Sequence, residues 1–494
     1  MATKLTIHAY DWIIKDGYTD DGGLAIHAWC LDRDSKPNLL RIESFPAFCH
    51  IELPTFVNGK HFEWNSSRIN AFAENLNRML KDDAPLKMSF KQAKKTYYYR
   101  GERRYPMLLA QFKTINAMQH CERILSRPVT VNGIGLVMAN VWETNINSIR
   151  KLLTIKNLRY SQWFEAEGHL LDRENPHRIS KIDNEYIIDW DKIVPLAADK
   201  TKGWVTKPGI LGVDIECYSN NHNAMPNKYH DLHVAYMISC VYQRSGDKST
   251  RKRVGIIYGD CDQIPESELA NTEVIQVKSE IEMVDKLGEV INRFDPEIVT
   301  GYNILSFDYP YLDFRIARRL HAWPIMGRLI SEVPTMSSKQ WKSGAYGYQS
   351  INILNMAGRI SIDLLPIVKR DYKLDKYDLN TVAGHFLDKS KHPIEPKEMF
   401  EIYERLTRAK LKWMAVHEEN PSIAASMKDE YDLICKELRE KIESTPGYLP
   451  ELLKERRAQM AQEVGDEFKF HREAMTKVMR YCIQDSELVE YNNA

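Results

Sequence analysis

The clearest alternation of hydrophobic and polar positions lies in residues 210–216, which read Ile-Leu-Gly-Val-Asp-Ile-Glu. Successive side chains of a β-strand point to opposite faces, so this alternation predicts a strand that presents Asp214 and Glu216 together on one face and buries Leu211, Val213 and Ile215 on the other. Two adjacent carboxylates repel each other unless a cation lies between them, and a divalent cation with oxygen ligands is the usual solution. An Asp-x-Glu pair is also common at solvent-exposed strand edges without any function, so a cation site requires further ligands from other parts of the chain.

The patterns that follow this strand predict a ribonuclease-H-like (DnaQ-like) α/β layer. Apolar runs predict strands near residues 233–242 and 254–258, and another over 298–302. Between them, apolar residues at 3.6-residue spacing predict a helix over residues 280–294. Three strands able to pair antiparallel, a helix and a fourth strand describe a layer that presents strand-borne carboxylates at one sheet edge.

Residues 1–204 are predicted to form a separate, mixed α/β domain. A polar stretch at residues 197–208 marks the boundary, and residues 205–494 form the second domain. Short apolar runs predict strands at residues 24–30 and 48–53, and helical spacing predicts helices at residues 69–80 and 115–125.

The second half of the chain contains two further predicted features. Residues 339–363 indicate a projecting β-hairpin that returns to a buried strand. Residues 398–480 are rich in charge with helical periodicity, and we interpret them as surface helices with a solvated face. We expect a helical insertion at about residues 404–470, and its sequence shows no catalytic or ligand-binding motif.

Composition excludes several classes of protein. The 494 residues contain 68 Lys+Arg and 68 Asp+Glu, so any nucleic-acid binding must come from local patches rather than from a global basic field. The eight cysteines form no Cys-x-x-Cys pair, which argues against a disulfide framework or structural zinc and favours a reducing, intracellular compartment. The N-terminus lacks a signal-type apolar region and no run approaches 18 apolar residues, so a soluble protein without a membrane partner is expected. The sequence does not distinguish between the nucleus, the cytoplasm and a viral replication site as the location of the protein.

A local basic patch occurs at residues 91–105, where lysines and arginines alternate with tyrosines. A groove that follows phosphates and stacks bases uses this combination, which makes Lys94, Lys95 and Tyr98 candidate contacts to single-stranded DNA. A strand with a solvated basic face explains the pattern equally well.

Two other segments carry carboxylates that could join the first pair. Pro310 suits the first turn of a helix that runs to about residue 322, so Asp308 falls near the N-terminus of that helix, where capping alone would also explain it. Near the end of the chain, Tyr481 and Asp485 are spaced i, i+4 and share one face of a predicted helix. A surface Asp beside a half-buried Tyr is the alternative.

The order of these motifs resembles the family B (alpha-type) DNA polymerases. Asp-x-Glu at 214/216, Asn-x4-Asp at 303/308 and Tyr-x3-Asp at 481/485 are similar to the three exonuclease motifs of that family. The flanking sequence strengthens the resemblance to delta-type and large-DNA-virus members, which covers nearly all of the chain outside the predicted insertion. This flanking similarity is found at residues 143–147, 150, 163–165, 295–303 and 373–380.

The resemblance implies a 3′→5′ proofreading exonuclease of DNA replication. It implies that Asp214, Glu216, Asp308 and Asp485 bind two Mg²⁺ or Mn²⁺ ions and that Tyr481 orients the attacking water. Residues matching family positions for the frayed 3′ end are Asn303 and Phe307. The hairpin at residues 344–358 resembles the element that helps to separate a mismatched primer from its template.

The chain also departs from the family pattern. We expect palm, fingers and thumb to be absent from this chain, because the family places them after the exonuclease unit and the sequence stops nine residues after Asp485. The run Tyr-Gly-Asp-Cys-Asp at 258–262 only mimics a polymerase motif, so we interpret Asp260 and Asp262 as part of a polar turn. The main hypothesis is an N-terminal and exonuclease portion of a polymerase, either truncated or one half of a split enzyme. Expected partners are single-stranded and primer-template DNA and a separate polymerase half or processivity factor. A catalytically idle module that binds single-stranded DNA or docks a polymerase half, and a stand-alone repair exonuclease, are the alternatives.

Overall fold

The computed structural model describes residues 2–19, 21–97, 99–343, 347–387, 394–417, 425–443 and 450–491. The chain divides into two compact units, Met1–Thr206 and Lys207–Ala494. Tyr98 and residues 344–346 at the tip of the expected hairpin lie outside the described residues.

The first unit is a mixed α/β domain. Its helices are α1 (Ser66–Leu80), α2 (Ile115–Leu125) and α3 (Ser148–Lys156), with 3-10 turns at Lys81–Asp83 and Trp190–Lys192. Its strands are β1 (Thr3–Lys15), β2 (Ala25–Asp32), β3 (Pro37–Ile42), β4 (Ala47–Glu52), β5 (Phe56–Val57), β6 (Lys60–His61), β7 (Lys87–Ala93), β8 (Tyr105–Phe112), β9 (Val129–Val131), β10 (Gly135–Val137), β11 (Asn140–Trp142), β12 (Trp163–Leu170), β13 (Asn184–Ile188) and β14 (Val194–Pro195).

Two sheets organise this unit. The first has the order β1-β2-β3-β13-β12-β14, and β1 also pairs with β12, so that five of its strands form a closed ring. The second has the order β11-β4-β8-β7, and α1 and α2 bury Phe72, Leu76 and Met118 against it. Both helices begin where a side chain accepts a backbone hydrogen bond, Asn65 from Arg68 and Thr114 from Ala117.

The second unit contains one large sheet with helices on both faces. Its helices are α4 (Glu280–Phe294), α5 (Asp308–Ala317), α6 (Leu364–Asp371), α7 (Leu379–Leu387), α8 (Pro396–Val416), α9 (Ala425–Glu443) and α10 (Pro450–Tyr491). Its strands are β15 (Gly209–Cys217), β16 (Ala235–Arg244), β17 (Asp247–Tyr258), β18 (Thr272–Val277), β19 (Ile298–Gly301), β20 (Thr335–Ser343), β21 (Gly347–Asn355) and β22 (Ile360–Asp363).

The sheet has the order β18-β17-β16-β15-β19-β22, and β20 pairs with β21 as a separate hairpin. Strands β15, β16 and β17 are antiparallel neighbours, whereas β19 and β22 run parallel to β15. Helices α4 and α5 pack on one face, where Leu211 and Val213 join their core, and residues of α8 and α10 pack on the other. The acidic side chains of β15 therefore lie on the α8 and α10 side.

Two expectations about the helices need correction. Helix α5 ends at Ala317 rather than near residue 322, because the chain turns at Leu320, whose φ is 55°. The segment interpreted as surface helices is partly core: α8 buries Met399, Tyr403 and Leu406. The expected limits of the insertion, 404 and 470, both fall inside continuous helices, α8 and α10.

Candidate active site

Strand β15 carries the acidic pair at the centre of the sheet. Leu211, Val213 and Ile215 are buried in the core, and Asp214 and Glu216 are half-buried on the other face. Strand β19 pairs with β15 only as far as Gly212, so the backbone N–H of Ile215 has no strand partner there. The Asp308 carboxylate accepts that N–H at 3.2 Å, which joins the start of α5 to the strand between the two acidic residues.

The last turns of α10 lie directly over this part of the sheet. Met479 packs against β17 at Gly255, where a Cβ atom would collide with its sulfur atom. Ser239, the register partner of Asp214 on β16, donates a hydrogen bond of 2.8 Å to the carbonyl oxygen of Cys482. The helix is thereby fixed with its Tyr481–Asp485 turn beside the acidic strand.

In the described part of the chain, Asp214, Glu216 and Cys482 form a group of potential metal ligands. One ligand atom from each lies within 4.8 Å of the other two, and Cys482 Sγ is 4.0 Å from Asp214 Oδ2. Burial raises the pKa of the Cys482 thiol, and the charges of Glu216, Asp214 and Asp485 raise it further. Two carboxylates therefore lie within 4.8 Å of one buried thiol.

Asp308 and Asp485 are close to this group without belonging to it. Both are buried, at 3% and 4% exposure, and neither contributes an atom to the 4.8 Å group among the described residues. Burial raises the pKa of Asp308 to about 7 and the charge of Asp363 contributes, whereas the backbone N–H groups of Asp308 and Ile215 lower it. Tyr481 is buried one helical turn before Asp485.

Asp363 is a buried carboxylate that sequence reasoning missed. At the end of β22, its oxygens accept the backbone N–H groups of Asn303 at 2.8 Å, Leu305 at 3.1 Å and Leu365 at 3.0 Å. It thereby fixes the loop that leads to Asp308 and also caps α6. The available signal was an Asp between a predicted strand and a following apolar segment, which is typical of a helix N-cap.

Asn303 and Phe307 are neighbours in the same loop. Asn303 has a positive φ of 67° and its carbonyl oxygen accepts the N–H groups of Ser306 and Phe307. Asn303 and Lys369 are among the residues that line a cavity of about 270 Å³. The Phe307 ring is half-buried against Tyr311, with ring centroids 5.5 Å apart.

The candidate DNA contacts of the first unit differ from one another. Lys94 pairs with Glu102 at 2.6 Å near the surface. Lys95 instead contacts both carboxylate oxygens of Glu52 at 2.8 Å and lies over the Tyr105 ring, 4.2 Å from its centroid. Its ammonium group is neutralised within the fold, so Lys95 is a stabilising residue and is not part of the function proposed below.

Asp260 and Asp262 are held by cationic side chains of the helical layer. Asp260 pairs with Lys410 of α8, and Asp262 pairs with Arg472 of α10 at 2.5 Å. Neither belongs to the group around Asp214. Their ion pairs help to fasten these helices to the end of β17.

The donor set fits hard divalent cations. Half-buried carboxylates on β15 with further carboxylates on α5 and α10 offer oxygen ligands and a local excess of negative charge, which suits Mg²⁺ or Mn²⁺. The Cys482 thiol is the exception, because Mg²⁺ does not favour sulfur.

Part of the chain matches the model of a known protein family. Residues 139–382 match the model of the DNA polymerase family B exonuclease domain. This range includes Asp214, Glu216 and Asp308 and ends before Tyr481 and Asp485. No helix in the described part of the chain combines the length and hydropathy that a membrane crossing requires.

Relatives with a similar sequence are viral and delta-type polymerases. DNA polymerase 037L of Invertebrate iridescent virus 6 is 26% identical over 83% of this chain and 34% of its own length. The DNA polymerase delta catalytic subunit of Plasmodium falciparum is 28% identical over 51% of the chain and 23% of its length. This chain thus aligns with no more than about a third of either relative.

A solved structure shares the fold. The family B DNA polymerase of Pyrobaculum calidifontis aligns with 81% of this chain and 42% of its own, with a TM-score of 0.53 and 15% sequence identity.

Proposed function

We propose that this chain, whose residues 139–382 match the exonuclease domain of the family B DNA polymerases, hydrolyses the terminal phosphodiester bond at a DNA 3′ end. The observation that carries this proposal is the meeting of Asp214 and Glu216 with the Tyr481–Asp485 turn of α10. These residues come from elements that are far apart in sequence, and their convergence assembles acidic ligands and a phenol on one face of the sheet.

We propose for these residues the roles that the resemblance to the family implies. Asp214, Glu216 and Asp485 would hold one divalent cation, and Asp214 with Asp308, directly or through water, a second. Two such ions, when bound, stabilise the charge on the attacking and leaving oxygens of a phosphoryl displacement. Tyr481 would donate or accept a hydrogen bond that orients the attacking water. Asn303 and Phe307 would contact the terminal nucleotide.

The protonation state of the Asp308 carboxyl affects cation binding at the proposed site. Its pKa of about 7 in the cation-free protein means that a large fraction is protonated at neutral pH. A nearby cation favours the ionised form, so cation binding and loss of this proton are coupled. We propose a positioning role for Asp363, which keeps the Asn303–Asp308 loop in place.

The substrate that best fits this proposal is a single-stranded or frayed 3′ end. Lys94 is the DNA contact that we retain in the first unit, and a polymerase half or processivity factor remains the proposed protein partner. The alternative is a catalytically idle module that binds single-stranded DNA or docks a polymerase half. Such a module would not cleave DNA in the experiment below.

The test is cleavage of a 5′-labelled single-stranded oligonucleotide with Mg²⁺. We expect stepwise shortening by the unmodified protein and a loss of at least about 100-fold with Asp214→Asn plus Glu216→Gln, since ligands to both cations are removed. The matched control is Asp432→Asn plus Glu437→Gln, which replaces an exposed Asp and an exposed Glu of α9 in the same unit, outside the site. Equal cleavage by the site variant and the unmodified protein would disprove the proposal.

A further inference from the structure

The Asp214, Glu216 and Cys482 group contains a soft donor that a hard-cation site does not need. Tetrahedral Zn²⁺ has Zn–S distances of about 2.3 Å and Zn–O distances of about 2.1 Å, which separates sulfur from oxygen by about 3.6 Å. The observed distance between Cys482 Sγ and Asp214 Oδ2 is 4.0 Å. A shift of a few tenths of an ångström would therefore bring both atoms to zinc-ligand positions.

The backbone geometry adds an independent feature beside this group. Glu216 pairs with Met237 and Cys217 pairs with Ala235, so Tyr236 is the extra residue of a β-bulge. The bulge places Tyr236 among the residues of α8 and α10, and its ring lies 4.5 Å from that of Tyr403.

The Tyr236 hydroxyl is fully buried and has no hydrogen-bond partner in the described part of the chain. The pKa of its phenol is raised by burial first and then by the neighbouring Glu216 and Cys482. A buried hydroxyl without a partner is costly, and a water molecule bound to a cation would donate a hydrogen bond to the phenol oxygen. By strand register, Tyr236 lies opposite the step from Glu216 to Cys217, next to one of the three donors.

We propose that Cys482, Asp214 and Glu216 together bind a thiophilic divalent cation of the Zn²⁺ type, which blocks the site to Mg²⁺. The inference rests on the proposed function, because the two carboxylates are those of the proposed exonuclease site. Zn²⁺ accepts one sulfur and two oxygen ligands and binds such donors more tightly than Mg²⁺ does. The thiol proton leaves to solvent as the metal–sulfur bond forms. Thiophilic cations are then inhibitors of this exonuclease, acting through Cys482.

The first test is a binding measurement without DNA. Co²⁺ replaces Zn²⁺ as a coloured probe, and a thiolate ligand produces sulfur-to-cobalt charge-transfer absorption in the near ultraviolet. We expect this absorption in the unmodified protein, its loss in Cys482→Ala, and at least about a tenfold weaker competition by Zn²⁺ in that variant. The matched control is Cys240→Ala, a buried cysteine of β16 that packs in the opposite core.

The variant Cys482→Ser removes the sulfur ligand with almost no change in side-chain size. Circular dichroism of Cys482→Ala and Cys482→Ser then shows whether each variant is folded, so that loss of the ligand can be distinguished from loss of the fold. Persistence of the charge-transfer band in folded Cys482→Ala or Cys482→Ser, or its absence in the unmodified protein, would overturn the inference.

The second test distinguishes this inference from the proposed function. In the cleavage assay with Mg²⁺, the Zn²⁺ concentration for half-inhibition is expected to rise at least about tenfold in Cys482→Ser relative to Cys240→Ala. Cobalt–thiolate absorption without any Mg²⁺-dependent cleavage would disprove the exonuclease and leave the cation site standing. Cleavage whose inhibition by Zn²⁺ is the same in both variants would disprove the cation site alone.

Discussion

The Ser239 hydroxyl donates its hydrogen bond to the carbonyl oxygen of Cys482 across 243 residues of sequence. Ser239 is the strand neighbour of Asp214, and its oxygen also lies 2.6 Å from the Ser486 hydroxyl. One small side chain therefore sets the position of the α10 turn relative to the acidic strand. The proposed chemistry depends on this contact although Ser239 offers no ligand atom to the cluster.

Replacing Ser239 with alanine tests whether the position of the α10 turn matters for cleavage, because this variant leaves all proposed cation ligands in place. We expect Ser239→Ala to lower the free energy of unfolding by about 1–3 kcal/mol, because buried groups lose their partner. The cleavage rate should fall by one to two orders of magnitude, since small misplacements of catalytic groups are costly. Chemical denaturation and single-turnover cleavage measure the two effects. Ser361→Ala, which removes a hydroxyl from β22 of the same sheet, is the control, and an unchanged cleavage rate in Ser239→Ala would contradict the positioning role.

The second prediction concerns Asp363, which holds the loop before Asp308. Asp363→Asn replaces one acceptor oxygen by an amide donor, which then faces backbone N–H groups of Asn303, Leu305 or Leu365. We expect cleavage to fall at least about tenfold, with a larger effect on the concentration of Mg²⁺ required than on DNA binding. Steady-state cleavage over a range of Mg²⁺ concentrations measures this.

Asp378→Asn is the matched control for this prediction. Asp378 also accepts a backbone N–H, from Thr381 at 2.9 Å, but it is exposed and lies at the start of α7. Similar Mg²⁺ requirements in Asp363→Asn and in the control would show that Asp363 contributes only to stability.

Local patterns predicted much of the fold. The helices over residues 115–125 and 280–294 agree with α2 and α4 at both ends, because each has a capping side chain and regular apolar spacing. The strand carrying Asp214 and Glu216 and its buried opposite face are also as predicted. These features depend on neighbours in sequence, which is the information that periodicity contains.

The rest depended on contacts between distant residues. Nothing near Ser239 in the sequence indicates that it binds α10, and nothing near Lys95 indicates Glu52. Cys482 was visible inside the Tyr-x3-Asp motif but became a candidate ligand only through its distance to Asp214. Periodicity predicted helices between residues 398 and 480 but could not reveal that Tyr403 is buried against the sheet.

The third prediction concerns a buried ion network at the start of β19. Arg328, only 1% exposed, binds Glu297 at 2.5 Å and Asp295 at 2.9 Å, and Glu297 also accepts the Gly209 N–H at 2.6 Å. Arg328→Met leaves the Glu297 charge buried, so we expect a loss of about 3–5 kcal/mol in the free energy of unfolding. Urea denaturation of the variant measures this loss.

The double variant Arg328→Met plus Glu297→Gln tests the cause. Removing both charges should recover part of the loss, because the uncompensated carboxylate disappears. Exposed Arg370→Met, whose partner Asp371 is also at the surface, is the control and should change stability by less than about 1 kcal/mol. A double variant no more stable than Arg328→Met would indicate that packing, rather than charge, is the main contribution of Arg328.

The last prediction is a pH dependence of the first unit through His27. The imidazole is fully buried on β2, and neither ring nitrogen has a hydrogen-bond partner in the described part of the chain. Burial, followed by the charges of Arg41 and Lys15, lowers its pKa from 6.5 to about 3. Below about pH 6.5, His27 therefore binds a proton in the unfolded chain but stays neutral in the folded chain. The free energy of unfolding falls as the pH decreases, by about 2 kcal/mol at pH 5.

The measurement is urea denaturation at pH 7.5 and pH 5, followed by hydrogen exchange of peptides that cover β2. His27→Leu should remove about 2 kcal/mol of the difference between the two pH values, because the leucine side chain takes up no proton in either state. His169→Leu, which replaces an exposed histidine of β12 in the same sheet, is the matched control. If His27→Leu keeps the full pH dependence of the unmodified protein, another group titrates on unfolding and the buried neutral imidazole is not the cause.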